Sequence, residues 1–208
     1  MRFTDMENGY RYAFTAAIQS YRRGSTPIGC AIVDANDRVL SVGQNSIFVS
    51  DFQEKVNQHH LAHAEINAIL KIPSGKSDRS VTVYTTMEPC ILCFGAMVMG
   101  YYNNLKFAAY DKFGGATCLQ NATEFITEKN ITVTGPVLPL QEMQIALITM
   151  RFLVLDFPYN KKYNTYCPEG VLLGEALFRD TDFMHMIDGN AAESGVLDYI
   201  LQRCTCPN

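Results

Sequence analysis

The 208-residue sequence predicts an α/β sandwich, with helices on the faces of a central, partly parallel β-sheet. Segments with apolar residues spaced by three and four alternate with short β-branched segments, and this alternation is typical of the α/β class. Hydrophobic residues make up 48% of the chain, which is enough to bury a full core. The alternation ends near Phe157. We therefore predict one domain over residues 1–157 and a C-terminal extension over residues 158–208, packed on the domain or on a partner subunit.

The first third of the chain predicts a helix, a β-hairpin and a long loop. Residues 6–21 carry an apolar stripe at helical spacing. Residues 30–33 and 38–42 are rich in β-branched and apolar residues, and four turn-forming residues separate them, as in a hairpin. Residues 46–61 are polar and weakly periodic. Loops of this length inside a compact domain are often functional.

The rest of the domain predicts three helices that alternate with three strands. The helices are expected over residues 64–71, 90–100 and 140–155, and the strands over residues 80–85, 105–109 and 131–134. Pro89 precedes the second of these helices, where proline is well tolerated. After a polar, aromatic linker over residues 158–164, two short helices are expected over residues 169–178 and 191–203.

Charge and targeting signals exclude several classes of partner. The formal net charge is -4: residues 1–157 carry 13 Lys and Arg against 14 Asp and Glu, and residues 158–208 carry 4 against 7. No basic field covers the molecule to attract nucleic acid or an anionic membrane. The first residues lack the apolar core of a signal peptide, and the apolar run over residues 145–157 is too short to span a bilayer. We expect a cytoplasmic protein with reduced cysteines and no membrane partner.

Two short motifs predict the chemistry of the protein. They are His63-Ala64-Glu65 and Pro89-Cys90-Ile91-Leu92-Cys93. One imidazole and two thiolates fill three of the four tetrahedral positions around zinc, which leaves one position for water, as in catalytic zinc sites. His63, Cys90 and Cys93 are therefore the candidate ligands of one zinc ion per chain. Glu65, two residues after His63, is the candidate group that moves protons. The pattern indicates hydrolysis.

Other potential ligands lie elsewhere in the sequence. His59 and His60 are expected in a solvated loop, since the set of three ligands is already complete. Cys204 and Cys206 could indicate a second metal site, but two sulfurs without companions are more typical of a frayed terminus. Their role is left open.

Four segments resemble the cytidine deaminase-like superfamily, in particular its branch of bacterial tRNA adenosine deaminases and guanine deaminases. They occupy residues 27–33 (PIGCAIV), 43–45 (GQN), 63–69 (HAEINAI) and 86–97 (TMEPCILCFGAM). The resemblance covers roughly residues 6–155. It implies a three-layer α/β/α sandwich with a five-stranded mixed sheet, and usually a homodimer.

Site residues are carried over from the resemblance by position. It implies that His63, Cys90 and Cys93 bind zinc and that Glu65 shuttles protons. It further implies that Asn45, the backbone N–H of Ala64, and Asp111 contact the substrate. For Asn45 and Asp111, formation of a turn is the competing interpretation.

Several differences from the sequences of the tRNA enzymes affect which substrate is expected. Tyr110 and Phe113 flank Asp111 and Lys112 where those enzymes carry basic residues, and the helix over residues 140–155 offers only Arg151. The loop before His63 looks longer, and the extension has no counterpart. Because phosphate contacts supply most nucleic-acid affinity, tRNA is a disfavoured partner.

We therefore expect a zinc-dependent deaminase of a free nucleobase or nucleoside, with a purine favoured. The alternative is a tRNA-specific adenosine deaminase that converts a wobble adenosine to inosine. A second alternative is a non-catalytic zinc-bearing protein used for binding or assembly, although such a site has no use for Glu65. Which base is deaminated stays open.

The extension carries three tyrosines with two competing interpretations. Tyr159, Tyr163 and Tyr166 could stack on a purine in a neighbouring active site, or they could pin the extension to the domain surface. A further hypothesis is that the extension covers or completes the pocket of its own or of a partner subunit and so restricts entry to small substrates.

Overall fold

The computed structural model describes residues 1–50, 53–73, 80–157 and 163–205. A five-stranded mixed sheet forms its centre, with the strand order β2-β1-β3-β4-β5. The strands are β1 (Gly29–Val33), β2 (Val39–Gln44), β3 (Thr82–Met87), β4 (Asn104–Ala109) and β5 (Thr132–Thr134). β1 pairs antiparallel with β2 and with β3, whereas β3, β4 and β5 pair in parallel. The predicted hairpin and partly parallel sheet are both confirmed.

Eight α-helices surround the sheet within the described residues. They are α1 (Asn8–Arg22), α2 (Ala64–Leu70), α3 (Ile91–Gly100), α4 (Glu124–Thr127), α5 (Leu138–Val154), α6 (Pro168–Arg179), α7 (Thr181–Asp188) and α8 (Glu193–Leu201). Short 3-10 helices cover Phe3–Asp5 and Thr117–Asn121.

The two faces of the sheet carry separate apolar clusters, which gives three layers. Along β3, Val83 joins α2 and α3 in one cluster, and the next residue, Tyr84, joins α1 and α5 in the other. Successive side chains of a strand point to opposite faces, so both faces of this central strand are buried. The three-layer α/β/α prediction is therefore confirmed.

The C-terminal helices share the core of the domain. Phe183 and Ile187 of α7, together with Val196 and Ile200 of α8, lie in the same apolar cluster as α1 and α5 and are fully buried. Arg22 of α1 adds a polar connection. Its guanidinium donates to the backbone oxygens of Ile187 and Ala191, each at 2.7 Å, and so bridges the end of α7 to the residues before α8.

Helices α5 and α6 approach closely because glycines face α5. A Cβ added to Gly170 would lie 2.9 Å from the backbone oxygen of Glu142, and one added to Gly174 would lie 2.6 Å from that of Ala146. Any larger residue would push the helices apart.

Over residues 163–205, which the structure describes, the extension holds one helix more than the sequence predicted. Helix α7 begins directly after Asp180, whose carboxylate accepts hydrogen bonds from the N–H groups of Asp182 and Phe183. The two predicted helices, over residues 169–178 and 191–203, are present as α6 and α8, and α7 between them was not predicted. The signals were present, because an N-cap aspartate precedes two apolar residues spaced by four, Phe183 and Ile187. Tyr159 and Cys206 lie outside the described residues.

Among the described residues, no helix combines the length and the apolarity needed to cross a membrane.

Candidate metal centre

The site forms where the chain leaves three strands at one edge of the sheet. Asn45 follows β2, the segment Glu88-Pro89-Cys90 follows β3, and Asp111 lies two residues beyond β4. These three strands run in the same direction, so their carboxyl ends meet at one edge, which is where α/β proteins usually bind ligands. The topology thus gathers residues that are distant in sequence.

The candidate metal ligands lie at the starts of two helices. His63 is the residue before α2, Cys90 is the residue before α3, and Cys93 lies in the first turn of α3. The first N–H groups of a helix have no partner within it and favour nearby negative charge, here the thiolates.

Three donor atoms converge with the spacing that zinc requires. His63 Nδ1 lies 3.5 Å from Cys90 Sγ and 3.4 Å from Cys93 Sγ, and the two sulfurs are 3.7 Å apart. Tetrahedral bonds of about 2.3 Å to sulfur and about 2.0 Å to nitrogen imply separations of about 3.5 Å between nitrogen and sulfur and about 3.8 Å between sulfurs. The donors fit zinc in distance and in chemistry. Among the described residues they are the one group of three that could hold a metal ion.

The ionisation of the cysteines is strongly coupled. Hydrogen bonds from Cys93 and from His63 lower the pKa of Cys90 to about 4, against the effect of burial. The bond to Cys90 raises the pKa of Cys93, and burial raises it further. The bond to the Cys90 sulfur likewise raises the pKa of His63. A bound cation would take the place of the proton that the two sulfurs share.

Glu65 lies in the first turn of α2 and is fully buried beside the donors. Its Oε1 accepts a hydrogen bond from Thr85 Oγ1 at 2.8 Å, and its Oε2 lies 3.2 Å from Cys93 Sγ. Burial raises the pKa of this carboxyl. A carboxyl that is oriented by one partner and poorly solvated is suited to take up and release protons.

Asn45 is 3% exposed, and its orientation is fixed. Its Oδ1 accepts from Ser25 Oγ at 2.7 Å and from the Ile47 N–H at 3.3 Å. A backbone N–H can only donate, so the assignment of the amide oxygen is unambiguous. No described residue accepts a hydrogen bond from Nδ2, which leaves this group available as a donor.

Asp111 begins a tight turn beside the pocket. Its Oδ1 accepts from the Phe113 N–H at 3.0 Å, as the competing interpretation of a turn residue required, and the residue also lines the cavity. The turn is therefore confirmed, and contact of Asp111 with a substrate stays a prediction that its place in the pocket lining allows.

Glu88 was missed by the sequence reasoning. It is 9% exposed, and it accepts from the N–H groups of Asp111 and Thr117, each at 3.2 Å, as well as from the Thr117 hydroxyl. The residue thus fixes the turn that carries Asp111. A carboxylate directly before Pro89 was a visible signal, but its partners become neighbours only through the pairing of β3 with β4.

The pocket over these residues has a volume of about 150 Å³. Five of the sequence-predicted site residues line it, namely Asn45, His63, Glu65, Cys90 and Asp111. Its other lining residues were not predicted: Thr26, Ile28, Ile47, Met87 and Glu88. Ala64 is fully buried as the first residue of α2, and its N–H donates to no described residue.

The competing candidates lie elsewhere. His59 and His60 are exposed, and Cys204 packs on the large apolar cluster, where its thiol donates to the Pro139 oxygen at 3.6 Å. Tyr163 and Tyr166 lie outside the pocket lining and contact the loop around Asp111 instead.

Comparison with known proteins identifies the relatives of this chain. Residues 4–109 match the model of the cytidine and deoxycytidylate deaminase zinc-binding region. A cytosine deaminase from Candida albicans is 34% identical over 103 residues, which cover 48% of this chain and 62% of the relative. A tRNA-specific adenosine deaminase from Buchnera aphidicola is 32% identical over 122 residues, covering 55% and 69% respectively.

Solved structures agree on the fold. A guanine deaminase from Nitrosomonas europaea superposes with a TM-score of 0.53 at 20% identity, over 67% of this chain and 80% of the other. At this identity the similarity bears on the fold alone. The names of these relatives give different substrates: cytosine, tRNA adenosine and guanine.

Proposed function

Because the chain belongs to the cytidine and deoxycytidylate deaminase family, we propose that it is a zinc-dependent deaminase of a free nucleobase or nucleoside, with a purine favoured. The observation that carries this proposal is the pocket. Its volume is about 150 Å³, and its lining includes Glu88 and Asp111 but, among the described residues, no Lys or Arg. Drug-sized ligands occupy pockets of about 300–1,000 Å³, so the space suits a single small heterocycle. Without a cation, the described pocket lining offers no charged partner for the phosphate of a nucleotide or an RNA strand.

In this proposal His63, Cys90 and Cys93 hold zinc. Bound zinc supplies a water molecule whose pKa lies near neutrality, so that hydroxide is available at physiological pH. His63 and Cys90 line the pocket, so the chemistry of an ion held there would be available to a substrate in the pocket.

Glu65 moves the protons of the reaction. It takes one proton from the attacking water and delivers it to the ring nitrogen next to the amino-bearing carbon. It then takes the second proton from the hydroxyl group now on that carbon and gives it to the amine, so that the C–N bond breaks, ammonia leaves and the oxygen stays as a carbonyl. Thr85 keeps Oε1 in place during both transfers. A carboxyl with a pKa raised by burial is suited to carry a proton in both directions.

The remaining residues bind and orient the base. Asn45 donates from Nδ2 to an acceptor of the substrate, a carbonyl oxygen or a ring nitrogen, and the Ala64 N–H provides a second donor. Asp111 accepts from an N–H group at the rim. Ile28 and Met87 supply apolar surface for the ring faces.

The second candidate is a tRNA-specific adenosine deaminase, which the 32% identity to such an enzyme favours. The surface beside the pocket argues against this second candidate. Lys112, the cation nearest Asp111 in sequence, lies with its Nζ 5.0 Å from the centroid of the Tyr166 ring. Arg151 is half-buried, and its guanidinium donates to the Gly24 oxygen. Arg151 is thus held within the fold, and Lys112 is exposed but in contact with the extension.

Two further proposals concern the oligomeric state and the cellular location of the enzyme. The homodimer expected from the resemblance is supported by the apolar side chains of Ile91 and Met99 on α3, which are 72% and 67% exposed. Sedimentation at micromolar concentration would measure it. Cys30, Cys90, Cys93 and Cys118 are free thiols, which supports the expected reducing, cytoplasmic location.

The decisive experiment is ammonia release by the zinc-loaded protein. The panel holds adenine, guanine and their nucleosides, cytosine, cytidine, the matching monophosphates and an unmodified tRNA anticodon stem-loop, at low and moderate salt. We expect turnover of one small base or nucleoside, with the monophosphate of the same base a poorer substrate. Turnover of the stem-loop alone, falling steeply with salt, would establish the tRNA alternative instead. Stoichiometric zinc binding without turnover on the full panel would favour a binding or assembly role.

A further inference from the structure

The C-terminal extension touches the turn that carries Asp111, which we call the Asp111 loop (residues 110–116). The Tyr166 hydroxyl donates to the backbone oxygen of Tyr110 at 2.8 Å. Lys112 places its Nζ over the Tyr166 ring, and Phe113 packs edge-to-face on Tyr163 with 6.2 Å between the ring centroids. Three residues of the loop therefore contact two residues of the extension.

The same loop is held from the domain side by buried polar groups. The Asp111 N–H donates to Glu88 Oε2, and the Tyr110 N–H donates to Gln141 Oε1, each at 3.2 Å. At the far end of the loop, the Ala116 N–H donates to the Pro89 oxygen at 2.9 Å. The domain thus accepts hydrogen bonds from three N–H groups of the loop, whereas Tyr166 of the extension donates to the backbone carbonyl of Tyr110.

The extension also supports the apolar wall of the pocket. Met87 and Ile28 line the cavity, and both belong to an apolar cluster that includes Tyr163, Cys167 and Val171 of the extension. Helix α5 contributes Ile145 and Ile148 between them. Contacts with the extension therefore reach the pocket from two directions, through its wall and through the Asp111 loop.

From these contacts we infer that the C-terminal extension is a built-in positioning element of the active site: Tyr166, through its bond to Tyr110, holds Asp111 at the distance that sets the affinity for the base. The inference rests on the proposed function, because it needs Asp111 to contact the substrate. It assigns Tyr166 as a positioning residue, since its side chain lies outside the pocket lining.

The effect of Tyr166 on kinetics follows from where Asp111 acts. A contact at the rim is made equally in the ground state and the transition state, so weakening it raises KM and leaves kcat unchanged. Loss of one hydrogen bond to a backbone carbonyl corresponds to roughly a three- to tenfold rise in KM.

The test compares Tyr166→Phe with a matched control, Tyr199→Phe. Both remove one hydroxyl from the extension and keep the ring. The Tyr199 hydroxyl donates to Asp180 Oδ2, within the extension itself. Two quantities are measured in the full-length protein: amide hydrogen exchange over residues 110–116, which does not depend on activity, and kcat and KM for the substrate that the panel identifies.

We expect Tyr166→Phe to exchange faster in the Asp111 loop and to show a raised KM with unchanged kcat, whereas Tyr199→Phe matches the wild type in both. Unchanged loop exchange, or faster exchange with an unchanged KM, would overturn the inference. An equal rise of KM and of loop exchange in the two variants would also overturn the inference, because it would indicate a general effect of the extension on stability. Failure of the proposed function can be distinguished from failure of this inference. In that case the wild type itself releases no ammonia, and this result does not depend on the loop exchange.

Discussion

Thr85 Oγ1 donates a hydrogen bond of 2.8 Å to Oε1 of Glu65, and both residues are buried. The bond joins the middle strand of the sheet, β3, to the first turn of α2. It occupies one oxygen of the carboxylate, while the other lies beside Cys93. The strand thereby fixes the orientation of the proposed proton carrier beside the candidate metal ligands.

Replacement of Thr85 by valine tests this relationship. Valine keeps the shape and removes the donor, so we expect kcat to fall roughly three- to thirtyfold with zinc content unchanged. Thr86→Val is the matched control, because the Thr86 hydroxyl accepts from the Gly29 N–H at 3.2 Å and does not touch Glu65. That control should lose stability but keep kcat. Equal kcat values for the two variants would show that Thr85 does not orient the carboxylate.

Glu65→Gln separates proton transfer from zinc binding. The amide has the size of the acid and cannot shuttle protons, so kcat should fall by roughly 10²- to 10⁴-fold. Metal analysis should still find one zinc per chain, since Glu65 is not among the three donors. Activity within about tenfold of the wild type would remove Glu65 from this role.

Zinc removal tests the donor set. A chelator should abolish ammonia release and lower the melting temperature, because an ion that binds only the folded state stabilises it. Added zinc should restore both properties. Cys90→Ser should bind less than one zinc per chain, whereas Cys118→Ser, at an exposed cysteine, should bind one. Full zinc content in Cys90→Ser would exclude this residue as a ligand.

Local sequence patterns were sufficient to predict the five strands, six of the eight described helices and the candidate metal ligands, whereas α4 and α7 were not predicted. His63 and Cys90 each directly precede a helix, and the spacing of Cys93 from Cys90 is fixed by one helical turn. These relationships extend over a few residues, so spacing alone reveals them. The predicted strands also followed from local β-branched runs.

The contacts around Asp111 could not be predicted in the same way. Glu88 meets Thr117 only because β3 and β4 pair in parallel, and Tyr166 meets Tyr110 across 56 positions of the sequence. Neither pair follows a period of a helix or a strand. Whether an aspartate near two glycines lines a pocket therefore depends on tertiary contacts that a single sequence does not display.

The packing of the extension leads to the last prediction, which concerns stability. A Cβ at Gly174 would lie 2.6 Å from the Ala146 oxygen and 2.7 Å from Thr149 Cβ, both on α5, so Gly174→Ala must displace α6. We expect a loss of about 1–3 kcal/mol in the free energy of unfolding.

Gly195→Ala is the matched control for this prediction. Gly195 is an exposed glycine in α8 whose added Cβ would meet nothing within 4 Å, and alanine there should stabilise the helix by up to about 1 kcal/mol. Urea unfolding of the two variants measures the difference. A single transition in both would indicate that the extension unfolds together with the domain, as expected from their shared core. If Gly174→Ala were as stable as Gly195→Ala, the close contact of α5 and α6 would contribute nothing to the stability of the chain.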